Sequence, residues 1–147
     1  MPFFSTLLAT LIGSLGFALL FSVKPNKLLY AVLGGGIAFL VYYLTQQAGC
    51  FFSNMLASLA TTLWCEIISR VKKAPVVTFL KPSILVLVPG GSLYYTVSAL
   101  LNKTYDVATA RLIETAEACL GIAAGVLLAS LLFTVLLSFG KKAKSTN

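Results

Sequence analysis

The chain has 147 residues, of which 59% are hydrophobic and 10% are charged, and its formal net charge is +7. Soluble domains carry about 25% charged residues, so this composition excludes an ordinary soluble fold. The apolar residues form long blocks rather than an amphipathic pattern, which predicts an integral protein of the lipid bilayer. The basic residues stand in short clusters between these blocks, without interleaved aromatic residues, and this argues against nucleic-acid binding.

Five apolar segments predict an all-α, polytopic membrane protein with five transmembrane helices. Most of them are close to the length of about 20 residues that crosses the hydrocarbon core. The first segment lacks the basic region of a signal peptide and is interpreted as a retained span. The predicted spans are residues 3–23, 28–45, 51–69, 75–101 (interrupted) and 116–139, in one transmembrane domain of residues 1–140 followed by a basic cytoplasmic tail of residues 141–147.

The distribution of basic residues predicts the orientation of these spans. Lys103 and Arg111, between the fourth and fifth spans, are offset by Asp106 and Glu114. The connections after the first and third spans and the tail hold Lys24, Lys27, Arg70, Lys72, Lys73, Lys141, Lys142 and Lys144. Because cytoplasmic loops are enriched in Lys and Arg, this bias predicts an N-terminus outside and a C-terminus inside.

The fourth span is interrupted at Pro89, Gly90 and Gly91, inside the apolar stretch "LVLVPGGSLYYT". Proline removes a backbone donor and glycine is a poor helix former, so the span should divide into half-helices of residues 75–88 and about 92–101. Counting from its start places the break near or somewhat past the midplane of the bilayer. A break at such depth is tolerated only where it faces protein or a wet cavity.

This break predicts a binding site for an anionic group such as a carboxylate. The free amides and the positive dipole end of the second half-helix should point into the cavity, an arrangement found in secondary transporters. Ser92 and Tyr95 add hydroxyl groups beside the turn. The alternative is a proline kink that only shapes helix packing.

The third span carries a stripe of polar and small residues on one helical face. Such a stripe either lines a substrate path or forms a hydrogen-bonded seam between helices. Asn54 and Thr61 are predicted to lie across from the break. The stripe consists of Asn54, Ser58, Thr61, Cys65 and Ser69.

Three charged residues are candidates for a charge pair or for coupling. Glu66 and Lys81 are almost equidistant from the turn between the third and fourth spans, so antiparallel packing could pair them, whereas Lys81 could instead extend to the membrane surface. Glu66 also stands four residues before Arg70, a favourable helical spacing. Glu117 could couple proton movement to transport or be a wetted interfacial carboxylate.

Glycines at four-residue spacing predict close helix packing. Gly121 and Gly125 form a small-xxx-small motif in the last span, and Gly34, Gly35 and Gly36 mark a second packing point.

The polar inventory predicts neither an enzyme nor a metal or cofactor site. The chain has no histidine and four acidic residues, and no two carboxylates are paired at depth. The three cysteines lack metal-ligand spacing. Cys50 and Cys119 could bridge near the external face, but the preferred interpretation is that they are small hydrophobic residues.

Five stretches, in order along the chain, resemble the smaller five-span component of the threonine/serine exporter (ThrE-type) family. They are "GFALLFSV" with "KPNKLL" (16–29), "GGGIAFLVYYL" (34–44), "LWCEIISRVKKAPVVTF" (63–79), "LVPGGSLYYT" (87–96) and "TAEACLGIAAG" (115–125). The chain departs from the family pattern at Ser83 and Val86, where members often carry further helix breakers, and at Lys81.

The resemblance implies a subunit of a secondary exporter in the bacterial plasma membrane. The substrate would be a small amino acid such as threonine or serine, or a small carboxylate such as succinate, and a second, larger membrane component would complete the exporter. Five spans cannot hold an internal inverted repeat, so a partner or a parallel homo-oligomer is also expected from topology. The alternatives are a non-transporting scaffold subunit and a passive channel.

Overall fold

The computed structural model describes residues 3–144. In the last helix, side chains are described up to residue 136 and at residue 138. All regular secondary structure in this part of the chain is helical, as the sequence predicts. The α-helices are α1 (Phe3–Leu20), α2 (Pro25–Thr45), α3 (Cys50–Val71), α4 (Val76–Ile84), α5 (Gly90–Leu101) and α6 (Tyr105–Lys144), with 3₁₀ turns at Gln46–Ala48 and Leu85–Leu87. The predicted tail of residues 141–147 is helical up to Lys144, and its last three residues lie outside the described part, as do residues 1 and 2.

Four helices are long and apolar enough to cross a membrane. They are α1, α2 with its 3₁₀ turn, α3 and the first 32 residues of α6. The segments Val76–Leu87 and Gly90–Leu101 pass the same test only together, and they are bent by 46° at the break. The described residues thus hold four spans, or five if the bent pair is one broken span.

Helices α3 and α6 run parallel along each other and pack more extensively than any other pair in the described structure. Glycine allows this approach: a Cβ added at Gly121 would lie 3.2 Å from the Cβ of Asn54 and would strike the Phe51 carbonyl oxygen. One turn further, a Cβ at Gly125 would strike the Ser58 hydroxyl and the Met55 carbonyl oxygen. The predicted close packing at these two glycines is confirmed.

Helices α1, α2 and α4 meet where glycine and serine face each other. A Cβ at Gly34 would lie 3.0 Å from the Cβ of Ser83, and one at Gly35 would lie 2.6 Å from the Ser14 hydroxyl. Ser83 donates hydrogen bonds to the carbonyl oxygens of Ala31 (2.8 Å) and Phe79 (2.7 Å). The bond to Ala31 joins α4 to α2 through a backbone acceptor, whereas the bond to Phe79 lies within α4.

The largest fully buried side chain is Phe79 of α4. It belongs to a core cluster near the lysine-bearing connections between α1 and α2 and between α3 and α4. The cluster comprises Ala18, Val23, Ala31, Cys65, Ile68 and Phe79. Trp64 packs on this cluster and donates its indole N–H to the Tyr30 carbonyl oxygen at 3.1 Å. The core thus fixes the N-terminal end of α4, next to the connection from α3.

Helices α1, α3 and α5 end in the same way. Ser22, Lys73 and Lys103 adopt positive φ angles of 53°, 47° and 57° just after the helix ends. The following residue then bonds back across the turn, as in Val23 N–H to the Ala18 carbonyl at 3.0 Å. Glycine usually takes this position because a Cβ is strained there.

The last helix begins earlier than the sequence predicts. The fifth span is expected at residues 116–139, but α6 starts at Tyr105 and is 40 residues long, about 60 Å at the usual rise. Hydropathy alone sets the predicted start. Residues 105–115 alternate charged and polar residues with apolar ones such as Val107 and Ile113, so they form no continuous apolar run, but they contain no glycine or proline to stop a helix. Lys103 remains in a connection, and Arg111 and Glu114 lie on the helix.

The N-terminal part of α6 extends beyond the first residue of α3. The Cys50 thiol, at the start of α3, is 3.5 Å from the Glu114 carbonyl oxygen, so residues 105–114 continue for about 14 Å beyond it. Helix α5 packs against α6 here. We call α5 together with residues 105–114 the overhang. It exposes apolar side chains, among them Tyr94 (69%) and Leu101 (79%).

Candidate functional site

The break between α4 and α5 is a tight turn at Pro89. Val88 leaves the helical region (ψ 127°), as the residue before a proline tends to do. Pro89 has φ −76° and ψ 58°, and the Gly90 N–H donates to the Val88 carbonyl oxygen at 2.7 Å. This geometry is that of an inverse γ-turn.

The break differs from the prediction in two details. The first half-helix ends at Ile84 and tightens into a 3₁₀ turn, and α5 begins at Gly90 rather than near Ser92. The interruption in helical conformation is therefore confined to Val88 and Pro89.

A cavity of about 350 Å³ lies beside this turn, and we call it the break cavity. Its volume falls in the range of small-ligand pockets. The predicted residues Pro89, Gly90, Gly91, Ser92 and Asn54 all line it. The other lining residues are Thr6, Thr10, Phe39, Tyr42, Cys50, Val86, Leu87, Val88, Glu114 and Ala118.

The break cavity lies closer to one end of the bundle than the sequence predicts. Its walls include Asn54, one turn into α3, and Tyr42, one turn before the end of α2. The break is thus level with the end that holds Gln46–Ala48, not with the middle of the helices. Counting from Pro75 at the α-helical rise underestimates this height slightly, because the three residues of the 3₁₀ turn rise about 2.0 Å each and so add about 1.5 Å.

The N-terminus of α5 opens into the break cavity without a cap. Among the described residues no side chain caps this helix, and Leu93 N–H, bonded to the Pro89 carbonyl, makes its first helical bond. The amides of Gly91 and Ser92 precede that bond. A Cβ added at Gly90 or Gly91 would meet nothing within 4 Å, so both glycines face open space.

Two polar side chains face the same space from other helices. Asn54 is 3% exposed, and its amide nitrogen donates to the Cys50 carbonyl oxygen at 2.8 Å. Glu114 of α6 lines the cavity, and its carboxylate lies 2.9 Å from Arg111 with the side chain 44% exposed. Sequence reasoning missed Glu114 because it assigned residues 102–115 to an outer loop.

The structure does not bring Thr61 and Tyr95 to the break cavity. Thr61 is fully buried two turns further along α3 and donates to the Ala57 carbonyl oxygen at 2.8 Å. The whole predicted stripe of α3 is buried in this way, so beyond Asn54 it packs between helices and does not line the break cavity. Tyr95 is 59% exposed on α5, beside the ring of Tyr94.

Glu66 pairs with Arg70, as their helical spacing favours, and not with Lys81, the other partner that the sequence allowed. The Glu66 carboxylate lies 2.6 Å from Arg70, its neighbour one turn along α3. Phe79 and Ser83 point into the core, so Lys81, between them on α4, faces the opposite side and is exposed. Helix rotation, which sequence separation does not fix, decides this outcome.

Glu117 and Cys119 lie outside the lining of the break cavity, whereas Cys50 lines it. Glu117 is exposed on α6, outside the lining of the break cavity. Cys50 is partly buried and Cys119 exposed, and both are free thiols. Within residues 3–144 no group of His, Cys, Asp or Glu residues is arranged to hold a metal ion.

Apolar helices of spanning length, with a broken pair beside a polar-lined cavity, define a multi-pass membrane protein of transporter type. A family model described as "Threonine/Serine exporter, ThrE" matches residues 6–132. The chain therefore belongs to the threonine/serine exporter family, and it is a membrane transport component rather than an enzyme. No curated protein and no solved structure matches it.

Proposed function

We propose that the chain is one subunit of a secondary exporter and that the break cavity binds the exported amino acid. One observation carries this proposal: the uncapped N-terminus of α5 opens into a 350 Å³ cavity of a chain from an exporter family. A helix N-terminus stabilises a carboxylate through free amides and the macrodipole. The substrate carboxylate binds at the amides of Gly91 and Ser92.

The charge of the break cavity favours a zwitterion over a dicarboxylate. Glu114 contributes a carboxylate to the wall, and this group attracts the ammonium of threonine or serine. The same carboxylate repels the second negative charge of succinate, and Arg111, which already pairs with Glu114, offsets that repulsion only in part. Asn54 is placed to meet a substrate hydroxyl. Small amino acids are therefore the proposed cargo, with succinate as the weaker candidate.

The proposed exporter needs a second component. We take the bent pair as one crossing, which gives five spans with the N-terminus outside, in the plasma membrane of a bacterium. Five spans provide no inverted repeat for alternating access. The exposed apolar side chains of the overhang offer a surface for a larger membrane partner or for a parallel copy of this chain.

The test is flux through liposomes that contain the chain and its larger partner. Efflux of threonine, serine and succinate is followed with and without a proton gradient. We expect saturable efflux of threonine and serine, faster than that of succinate. Absence of flux for all three under both conditions would contradict the proposal, and flux that does not saturate would indicate a channel.

Gly90→Leu distinguishes a substrate-binding subunit from a scaffold. The added side chain enters open space at the cavity wall, so the variant should fold, assemble and lose most of its flux. Gly16→Leu is the matched control, because Gly16 also has nothing within 4 Å of an added Cβ but lies outside the cavity lining. A scaffold subunit would transport equally well with either substitution.

A further inference from the structure

A second cavity lies at the opposite end of the bundle, where α1 leads into α2 and α3 leads into α4. Its volume is about 530 Å³. Four lysines line it from separate parts of the chain: Lys24 and Lys27 at the start of α2, Lys73 after α3, and Lys81 on α4. We call it the lysine cavity. Folding thus brings together basic residues that are spread over 58 positions of the sequence.

Among the described residues, none supplies a counter-charge to the lysine cavity. None of its lining residues is acidic. The chain has four acidic residues, of which Asp106, Glu114 and Glu117 lie in the first turns of α6, beside the break cavity and the overhang. Glu66 is the remaining one and is bonded to Arg70. Four ammonium groups around one hollow repel each other, and a bound anion removes that repulsion.

The start of α4 adds a further positive potential to the same cavity. Pro75 precedes the helix and lines the cavity, and the first bond of the turn joins Thr78 N–H to the Pro75 carbonyl oxygen at 3.0 Å. No described side chain caps this helix. Its first amides and dipole therefore act with the lysines on an anion.

The rim of the lysine cavity is apolar and faces outward. Phe21 and Val77 line it and are 42% and 50% exposed. An anion bound here can therefore carry an apolar part that rests against these side chains. Basic cavities at the ends of membrane helices recognise the head groups of anionic lipids in this way.

We propose that the lysine cavity binds the phosphate group of an anionic phospholipid, at a site separate from the break cavity. Lys24, Lys27, Lys73 and Lys81 hold the phosphate oxygens, and Phe21 and Val77 contact the glycerol and the first acyl carbons. The shared chemistry is a phosphate group, so free inorganic phosphate is the second possible source.

The experiment measures lipid retention by the purified full chain with native mass spectrometry. Phosphatidylglycerol and phosphatidylcholine are titrated against the wild type and the double variant Lys24→Gln/Lys81→Gln. We expect one phosphatidylglycerol per chain in the wild type, in preference to phosphatidylcholine. Loss of two charge-assisted contacts should weaken this binding by at least about tenfold.

A charge-matched control separates the site from a general effect of net charge. Lys72 lies at the same end, but its ammonium sits 4.4 Å from the centre of the Tyr30 ring and does not line the cavity, and Lys103 lies at the other end. Lys72→Gln/Lys103→Gln should therefore retain phosphatidylglycerol as the wild type does. Equal loss in both double variants would overturn the proposal.

Inorganic phosphate distinguishes the two sources. Its stabilisation of the chain is measured by thermal unfolding against chloride at matched ionic strength. Stabilisation that Lys24→Gln/Lys81→Gln abolishes, without selective lipid retention, would assign the site to free phosphate. If neither lipid nor phosphate distinguishes wild type from this variant, no phosphate site exists. Each single substitution replaces the double variant if the latter fails to fold.

Discussion

The glycines of the bundle and the glycines of the break serve opposite purposes. At Gly34, Gly121 and Gly125 the missing side chain lets two helices touch, and an added Cβ would strike a neighbouring hydroxyl or backbone carbonyl. At Gly90 and Gly91 an added Cβ would meet empty space. The comparison teaches that small residues allow close helix contact in the packed region, whereas at the break between α4 and α5 they leave the wall of a cavity open.

The packed region should show the largest effect of a substitution. Gly125→Leu forces a side chain into the Ser58 hydroxyl and the Met55 carbonyl, so α3 and α6 must separate. Overpacking of a core costs about 1–3 kcal/mol of stability. We expect a value near the upper limit, because the added side chain meets rigid backbone atoms. We expect loss of folded protein, measured by thermal unfolding in detergent, while Gly16→Leu unfolds like the wild type. Wild-type stability of Gly125→Leu would refute the close contact.

A smaller effect is expected at the cavity wall, where chemistry rather than volume changes. Glu114→Gln keeps the shape of the side chain but removes the charge that attracts an ammonium group. Threonine affinity should fall by about tenfold, equivalent to about 1.4 kcal/mol, and succinate binding should not weaken. Isothermal titration of the reconstituted complex measures both ligands. Glu117→Gln is the control, since Glu117 lies outside the cavity lining, and an equal loss there would argue against a role specific to Glu114.

The smallest effect is expected where glycine is absent although the backbone favours it. Lys103 has a φ of 57° after α5, so Lys103→Gly relieves strain at the turn. The gain in stability should be about 0.5–1 kcal/mol, because glycine also loses more backbone entropy on folding. A chemical denaturation midpoint measures this change, and transport should be unaffected. Destabilisation would mean that the Lys103 side chain makes a contact worth more than the strain.

Apolar blocks and glycine spacing predict most of the fold. The first three helices match the predicted spans within one turn, and the close packing at Gly121 and Gly125 follows from their four-residue spacing. Membrane helices need long apolar runs, so composition alone locates them. The start of α6 is not predicted in this way, because residues 105–115 are helical without forming a continuous apolar run.

The site is predicted less completely, because helix rotation and depth depend on neighbouring helices. Pro89 and the glycines after it mark the break on chemical grounds alone. Asn54 reaches the break cavity and Thr61 does not, although they share a helical face, since the cavity ends within two turns. Glu114 enters the cavity only because α6 extends past α3. Lys81 turns away from Glu66 because Phe79 and Ser83 occupy the core face of α4.

The cysteines offer the most direct measurement of substrate in the break cavity. Cys50 lines the cavity, whereas Cys119 is exposed elsewhere on the surface. The rate at which a thiol reagent modifies each cysteine is followed by peptide mass spectrometry, on the chain reconstituted with the proposed larger partner. Threonine should slow the modification of Cys50 and leave Cys119 unchanged, and Gly90→Leu should abolish that protection. Equal rates at Cys50 with and without saturating threonine would contradict a substrate bound at the break.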